Sequence, residues 1–424
     1  MQSLKDKDKQ YIWHPFTSLS TTIDTIPIVK GEGLYLEDET GKRYMDVISS
    51  WWVTIHGHAH PYIAGKIYQQ AMLLEQVIFA GFTHKPAVEL AERLMPLLPG
   101  NFSKIFYSDN GSTATEVAIK MALQYWWNSS IGNSPGRTKV LAFRNSYHGD
   151  TFGAMSISDR SIFTRAFEDK LFEVIFIDTP TPENIEQLKA TVSEYQQEAA
   201  AFIYEPLLQG AGGMKMYEAS LMNELLLACR QYEIICIADE VMTGFYRTGH
   251  LFASSCMQVS PDIICLSKGL TGGTMALGVT ACNQKIVDAF LSDDKLKTFF
   301  HGHSFTANPL ACTAALASLD LILEADCLQK IEMICRQNQL FVETLRSYTN
   351  IIQPRCCGTI LAFEYESAEY NYLNNISEEI TGEMLGKGIY MRPLGNTVYI
   401  MPPYCIKEKE LQVVYDALLE FIKK

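Results

Sequence analysis

Lys268 stands in "LSKGL", directly after the apolar run "DIICL". An ammonium there loses hydration unless it is paired, deprotonated or used covalently, and an amine of that kind condenses with an aldehyde to a Schiff base. An isolated strand-end lysine is more often a snorkelling or ion-paired side chain, so its neighbours decide the reading. Asp239 closes the preceding run, "EIICIAD", where a carboxylate needs a cationic partner. A protonated pyridine nitrogen would serve, as would Arg247, and a helix N-cap is a third reading. "DNGSTATE" puts Gly111 and Ser112 at the opening of a helix, where free N–H groups and the helix dipole suit a phosphate. The same string also reads as a plain cap with Glu116 in the first turn. "FRNSYHGDTFGAMS" carries Tyr147 and His148 on a loop after a strand, suited to stacking on a flat ring, with a core tyrosine as the ordinary alternative.

Together these features describe one ligand, with an aldehyde for Lys268, a pyridinium for Asp239, a ring face for Tyr147 and a phosphate for Gly111 and Ser112. Pyridoxal phosphate has all four groups. The interval from Asp239 to Lys268 is one crossover between neighbouring strand ends, as opposite edges of a small ring require. The histidines of "HGHAH" (His56 to His60) and "HGH" (His301 to His303) lack the spacing of a closed metal site, and no metal is expected.

Three apolar runs must position these groups: Ala199 to Gly213, Glu233 to Gly249 and Pro261 to Gly273. Each reads as a buried strand ending in polar or glycine-rich residues. Between the first two, "EASLMNELLLACRQYE" has helical spacing with Leu221, Leu225 and Ala228 on one face. That βαβ alternation predicts a parallel sheet, with Glu205, Asp239 and Lys268 at carboxyl ends of strands, where open α/β sheets bind ligands. "KIFYSDNGSTATEVAIKMALQYW" is a strand, a turn and a helix with Ala114, Val117, Ala118, Met121, Ala122 and Tyr125 on its apolar face. "GLYLEDETGKRYMDV" reads as a hairpin turning near Glu39 to Gly41, and "TILAFEYE" and "NTVYIMPP" are short strands near the other end. The fold class is α/β, a mainly parallel large domain over 56–315, with a smaller α+β domain built from 1–55 and 316–424.

A chain of 424 residues is long enough for two or three lobes, and 47% hydrophobic and 20% charged residues are ordinary for a globular protein. The formal charge of -13 excludes a basic face for nucleic acid and leaves small molecules as the expected substrates. The eleven cysteines lie between Cys229 and Cys405 with no CxxC pair, which suits neither a disulfide framework nor a zinc ribbon and fits a reducing cytoplasm. "MQSLKDKDKQ" has no signal-type apolar stretch, and no run of about 18 uncharged apolar residues occurs, so neither export nor a membrane span is expected.

The strings "WHPFTSL", "SSWWVTIHGH", "YHGDTFGAMS", "EPLLQGAGGM", "ADEVMTGFYRTG", "LSKGLTGG", "HGHSFTANPLAC", "MRPLGN" and "MPPY" resemble the class III, fold-type I pyridoxal-phosphate aminotransferases, over effectively the whole chain. The resemblance implies that Lys268 forms the covalent link to pyridoxal 5'-phosphate, Asp239 holds the pyridine nitrogen, Gly111 and Ser112 cradle the phosphate, and Tyr147 covers the ring. It implies a homodimer in which Gly302, His303 and Ser304 reach the partner subunit's cofactor or substrate, with Ser304 in place of a common threonine. Trp51 would line the substrate pocket, and Arg392 would take the carboxylate of a long keto acid as a bidentate pair. Trp13, His14 and Phe16 would form pocket wall. Besides Ser304, the sequence departs from the family pattern at two positions. Phe16 stands where the adenosylmethionine-using branch typically has tyrosine, and Tyr246 stands where glycine is usual.

Overall fold

Strands that read as unbroken apolar runs need cover on both faces, and the chain supplies it in a computed structural model describing residues 3–20, 25–130, 136–366 and 375–424. At the N-terminal end, β1 (Ile28–Glu32), β2 (Tyr35–Asp38) and β3 (Arg43–Asp46) form an antiparallel meander. The turn between β2 and β3 is closed by the Asp38 carboxylate, which accepts from the N–H groups of Thr40 (2.9 Å) and Lys42 (3.1 Å).

The central sheet contains β4 (Phe102–Ser108), β5 (Lys139–Phe143), β6 (Val174–Ile177) and β7 (Ala199–Tyr204). A small hairpin, β8 (Leu208–Gln209) with β9 (Lys215–Met216), follows β7. The sheet is completed by β10 (Ile235–Asp239), β11 (Ile263–Leu266) and β12 (Gly278–Asn283), in the order β4-β12-β11-β10-β7-β5-β6. Only β12 runs against its neighbours. Alternate residues feed two cores: Leu141, Phe143, Cys236 and Ala238 face one, Val140, Ala142, Ile235 and Ile237 the other. The second core includes Ala114, Val117, Ala118, Met121 and Ala122 from the Gly111–Ser129 helix, the expected face, with Tyr125 packed at its margin.

The crossover helix Ala219–Gln231 differs from its sequence reading. Its fully buried set is Met222, Leu225, Leu226 and Cys229; of the expected Leu221, Leu225 and Ala228, the outer two are only partly buried against the same core. Three consecutive leucines leave the helical phase open, and packing on the sheet selects the i, i+3, i+4, i+7 set.

Near the C-terminal end, β13 (Ile351–Cys357), β14 (Ile360–Tyr365) and β16 (Thr397–Ile400) make an antiparallel sheet. β15 (Ile389–Tyr390) instead pairs parallel with β3, so residues from both ends of the chain share one sheet. Among the described residues, no helix is long and apolar enough to cross a membrane.

Candidate active site

The β10–β11 register sets Asp239 opposite Cys265, and the β10–β7 register sets Ala238 opposite Tyr204. Glu205, Asp239 and Lys268 therefore leave three adjacent strands at one edge of the sheet. There they line a cavity of about 650 Å³ together with Phe16, Trp51, Trp52, Gly111, Ser112 and Tyr147.

Lys268 opens a short 3-10 turn with φ +45°, a left-handed conformation that costs a non-glycine residue about 1–3 kcal/mol and persists where its surroundings enforce it. The ammonium lies 5.1 Å from the centroid of the Trp52 ring and has no hydrogen-bond or ion-pair partner among the described residues. Burial lowers its pKa, opposed by the negative fields of Asp239 and Glu205. The amine is thus biased toward the neutral, nucleophilic form.

Asp239 is held on both oxygens. Oδ1 accepts from Val241 N–H at 3.0 Å, and Oδ2 lies 2.6 Å from His148 Nδ1. The pairing assigns the ring proton to Nδ1, because an ionised carboxylate can only accept; Nε2 of this buried imidazole is without a partner. Arg247, the partner considered from sequence, is 1% exposed and points elsewhere, donating to the carbonyls of Pro402 (2.8 Å) and Trp52 (3.3 Å). Glu205 accepts from Tyr147 N–H (3.2 Å) and Gly210 N–H (2.8 Å). Burial pushes the Glu205 carboxyl up to about 7, with His148 opposing and Asp239 adding to the rise.

The Gly111–Ser129 helix is closed by a reciprocal cap: Asn110 Oδ1 accepts from Thr113 N–H (2.9 Å), and Thr113 Oγ1 accepts from Asn110 N–H (3.1 Å). That leaves the first two amides, of Gly111 and Ser112, without intrahelical acceptors, and both residues line the cavity. A Cβ at Gly111 would stand 2.6 Å from Val241 Cγ1, and one at Gly149 (φ +131°) would collide with Ser112 Oγ, so the two glycines keep this cradle open. Tyr147 is half-buried on the loop after β5 and donates its hydroxyl to Asp150 Oδ2 at 2.8 Å. Its pKa is raised, first by burial and then by Asp150.

One wall is aromatic. Phe16, itself left-handed at φ +53°, has its ring centroid 5.5 Å from those of both Trp51 and Phe163. The Arg392 guanidinium is not part of the cavity lining but stands 5.4 Å from the Trp51 centroid, with no ion pair to a described residue. Trp13 and His14 do not form the expected wall. Trp13 is 74% exposed, and His14 is tied at 2.9 Å to Asp8 of the Leu4–Tyr11 helix; the chain turns inward only at Phe16. Gly302, His303 and Ser304 also lie off this cavity, in a loop where His303 N–H donates to Thr306 Oγ1 (3.2 Å) and the Gln76 amide donates to the Ser304 carbonyl. His56 bonds Ser318 Oγ at 3.0 Å and His301 bonds Lys120 Nζ at 2.9 Å. Tyr246 has φ +69°, which explains why glycine suits that position.

A buried unpaired amine, an anchored carboxylate, two free helix amides and an aromatic flank on one cavity fit the aldehyde, ring nitrogen, phosphate and ring of pyridoxal phosphate. The fold and these placements define a pyridoxal-phosphate-dependent enzyme of fold type I. Residues 18–422 match the family model described as aminotransferase class-III. The chain is 44% identical over 422 residues to the adenosylmethionine-8-amino-7-oxononanoate aminotransferase of Synechococcus elongatus, covering 97% of this chain and 98% of that one. It is 35% identical to the protein of the same name from Staphylococcus aureus, covering 97% and 96%. Among solved structures, the Methanocaldococcus jannaschii adenosylmethionine-8-amino-7-oxononanoate aminotransferase superposes with a TM-score of 0.93 at 33% identity, covering 99% and 98%. An omega transaminase from Pseudomonas jessenii superposes with a TM-score of 0.92 at 26% identity, covering 99% and 98%. The chain belongs to the class III aminotransferases and is a pyridoxal-phosphate-dependent aminotransferase.

Proposed function

We propose that this enzyme aminates 8-amino-7-oxononanoate to 7,8-diaminononanoate, a step of biotin biosynthesis, with adenosylmethionine as the amino donor. The observation that carries this reading is the set of near-full-length relatives, 34% to 44% identical, that bear the corresponding name. The wall of Phe16, Trp51 and Phe163 suits a long aliphatic chain, and the Arg392 guanidinium beside Trp51, without an ion pair among the described residues, suits its terminal carboxylate.

When bound, pyridoxal phosphate supplies an aldehyde that holds the amino group and a pyridinium that takes up an electron pair. The residues of the chain do the rest. Lys268 Nζ would hold the cofactor's aldehyde and, once free, would serve as the base and acid that moves a proton during amino transfer. Asp239, fixed by His148 and Val241, keeps a proton on the ring nitrogen. Gly111 and Ser112 amides bind the phosphate. Tyr147 covers the ring and keeps water from it, on a loop that Glu205 pins through the Tyr147 N–H.

The working assembly is a homodimer in the cytoplasm. Tyr68, Met72, Leu73, Ile78, Phe82 and Phe305 are exposed large apolar side chains. The Gln76–Ser304 and Asn308–Glu75 hydrogen bonds tie their two segments together. Such a patch marks an interface, and it would carry Gly302, His303 and Ser304 to the partner's cofactor or substrate. Free thiols at all eleven cysteines suit a reducing compartment. Residues 1–55 and 316–424 are read as the small domain and 56–315 as the large one.

Phe16 favours one second reading, because it offers the donor a ring and no hydroxyl: lysine as donor in the same reaction. Stopped-flow absorbance of the bound cofactor tests both. Adenosylmethionine is expected to convert the cofactor to its aminated form and 8-amino-7-oxononanoate to convert it back. Conversion by lysine alone moves the protein to the lysine-dependent reading. No return with 8-amino-7-oxononanoate, alongside return with another ω-oxo acid, overturns the substrate assignment in favour of a different class III ω-amino acid aminotransferase.

A further inference from the structure

Between β3 and the cavity the backbone takes a path that L residues avoid. Ser49 (φ +54°), Ser50 (φ +61°, ψ -98°) and Trp52 (φ +68°) are all on the positive side, and Trp51 between them sits at φ -117°, ψ +56°. The Ser50 angles approach the rare γ-turn with positive φ, and neither serine nor tryptophan has a local reason to be there. Something outside the turn must hold it.

Asp46, the last residue of β3 and 0% exposed, is that anchor. Its Oδ2 accepts from Ser50 N–H at 2.6 Å and from the Ser50 hydroxyl at 3.1 Å, and its Oδ1 accepts from Ile48 N–H at 3.3 Å. His58 Nε2 lies 2.8 Å from Oδ2. His58 is itself fixed by a backbone pair with Gly33, at 2.7 and 3.1 Å, next to the β1–β2 turn. Every side-chain bond of Asp46 ends on the strained turn, on its approach or on this brace.

The turn delivers two indoles to the site. Trp52, whose Nε1 donates to Tyr399 OH at 2.9 Å, stands 5.1 Å below the Lys268 ammonium. Trp51 contacts both Phe16, at 5.5 Å between centroids, and the Arg392 guanidinium, at 5.4 Å from the indole centroid. We propose that Asp46, braced by His58, is a positioning residue for amino transfer: it holds the Ser49–Trp52 turn and so sets both indoles against Lys268 and Arg392. Asp46 is fully buried and does not line the cavity. The inference rests on the substrate reading above only for the choice of acceptor in the kinetic arm of its test.

The test combines hydrogen–deuterium exchange of the full-length, cofactor-loaded protein with steady-state kinetics on Asp46→Ala, Asp46→Asn and Ser50→Gly, using 8-amino-7-oxononanoate as the acceptor. In Asp46→Ala, the amides of Ser50 to Val53 are expected to exchange at least about tenfold faster while β7 and β10 keep their protection. The acceptor's KM is expected to rise about tenfold with kcat within about threefold. Asp46→Asn, which still offers one oxygen to the Ser50 N–H, should recover most of both effects. Ser50→Gly keeps the fold, because glycine tolerates φ +61°, and should move both readouts the same way by about threefold, so the proposal stays testable even if Asp46→Ala is insoluble. Unchanged exchange over 47–55 in Asp46→Ala, or in Ser50→Gly where Asp46→Ala is insoluble, overturns it. So does exchange that rises equally in β7 and β10, which would make Asp46 a general prop. If the unaltered enzyme does not turn over 8-amino-7-oxononanoate, the substrate assignment fails and the exchange arm alone decides the role of Asp46.

Discussion

His148 Nδ1 stands 2.6 Å from Asp239 Oδ2, with His148 on the loop after β5 and Asp239 at the end of β10. The imidazole fixes the carboxylate proposed to face the cofactor's ring nitrogen, and His148 is in turn held by the bond from its own N–H to Ser158 Oγ at 2.8 Å. A hydrogen bond to a charged group is worth about 1.5–3 kcal/mol. His148→Ala should therefore weaken pyridoxal phosphate binding by roughly 10- to 100-fold, by the conversion of about 1.4 kcal/mol per tenfold. Fluorescence titration of cofactor-stripped protein measures this directly. An unchanged Kd would mean that Val241 N–H alone orients Asp239.

Lys268 provides a pH signature. Its pKa is lowered by burial, so between that lowered value and the ordinary value near 10.5 the unfolded chain binds a proton that the cofactor-free fold does not. Stability of the cofactor-free protein should therefore rise with pH through that window and be lowest below it. Lys268→Ala should remove that rise, keep the fold, abolish the borohydride-reducible link to the cofactor, and cost more than the roughly 10²- to 10⁴-fold typical of general acid–base loss. Urea unfolding of both proteins at several alkaline pH values, with mass spectrometry of the reduced adduct, checks both parts. An adduct on another lysine would displace Lys268 from the role.

Much of the site was legible because one rule joins sequence to place: apolar runs in a βαβ pattern are parallel strands, and their carboxyl ends bind ligands. Glu205, Asp239 and Lys268 followed from it, and Gly111 and Ser112 from the grammar of a helix start. The His148–Asp239 pair was not legible, since nothing local to either residue reports that β5 and β10 flank β7. The phase of the Ala219–Gln231 helix was hidden by three consecutive leucines. The turn at Ser49 to Trp52 was hidden for the opposite reason, because those residue types argue against the angles they adopt. Trp13 shows the limit of composition, which says that an aromatic should be covered and not by what.

Tyr246 tests the backbone account of its position. At φ +69° any Cβ is strained by about 1–2 kcal/mol, and glycine is not. Tyr246→Gly and Tyr246→Ala both lose the packing of the half-buried ring, so their difference isolates the backbone term. The glycine variant should be the more stable by about 1 kcal/mol, the reverse of the order in a helix. Thermal or urea unfolding of the pair decides it, and an alanine variant of equal or greater stability would sink the explanation.

Phe16 bears on the amino donor. Its ring closes the aromatic wall against Trp51 and Phe163, both at 5.5 Å between centroids. A tyrosine in its place would keep these contacts and add a hydroxyl at the cavity, where a hydrogen bond to a polar donor is worth about 0.5–1.5 kcal/mol. That is enough to retune preference by several-fold and too little to create or abolish binding. Phe16→Tyr is therefore expected to raise the rate constant for conversion of the cofactor by adenosylmethionine, relative to lysine, by about 2- to 10-fold. The half-reaction with 8-amino-7-oxononanoate should be unaffected, because its carboxylate is proposed to pair with Arg392, which contacts Trp51 and not Phe16. Single-turnover spectra with each donor measure the ratio. A ratio unmoved by the added hydroxyl, or one that shifts toward lysine, would show that Phe16 shapes the wall without reading the donor, and would leave donor choice to the Trp51 side of the cavity.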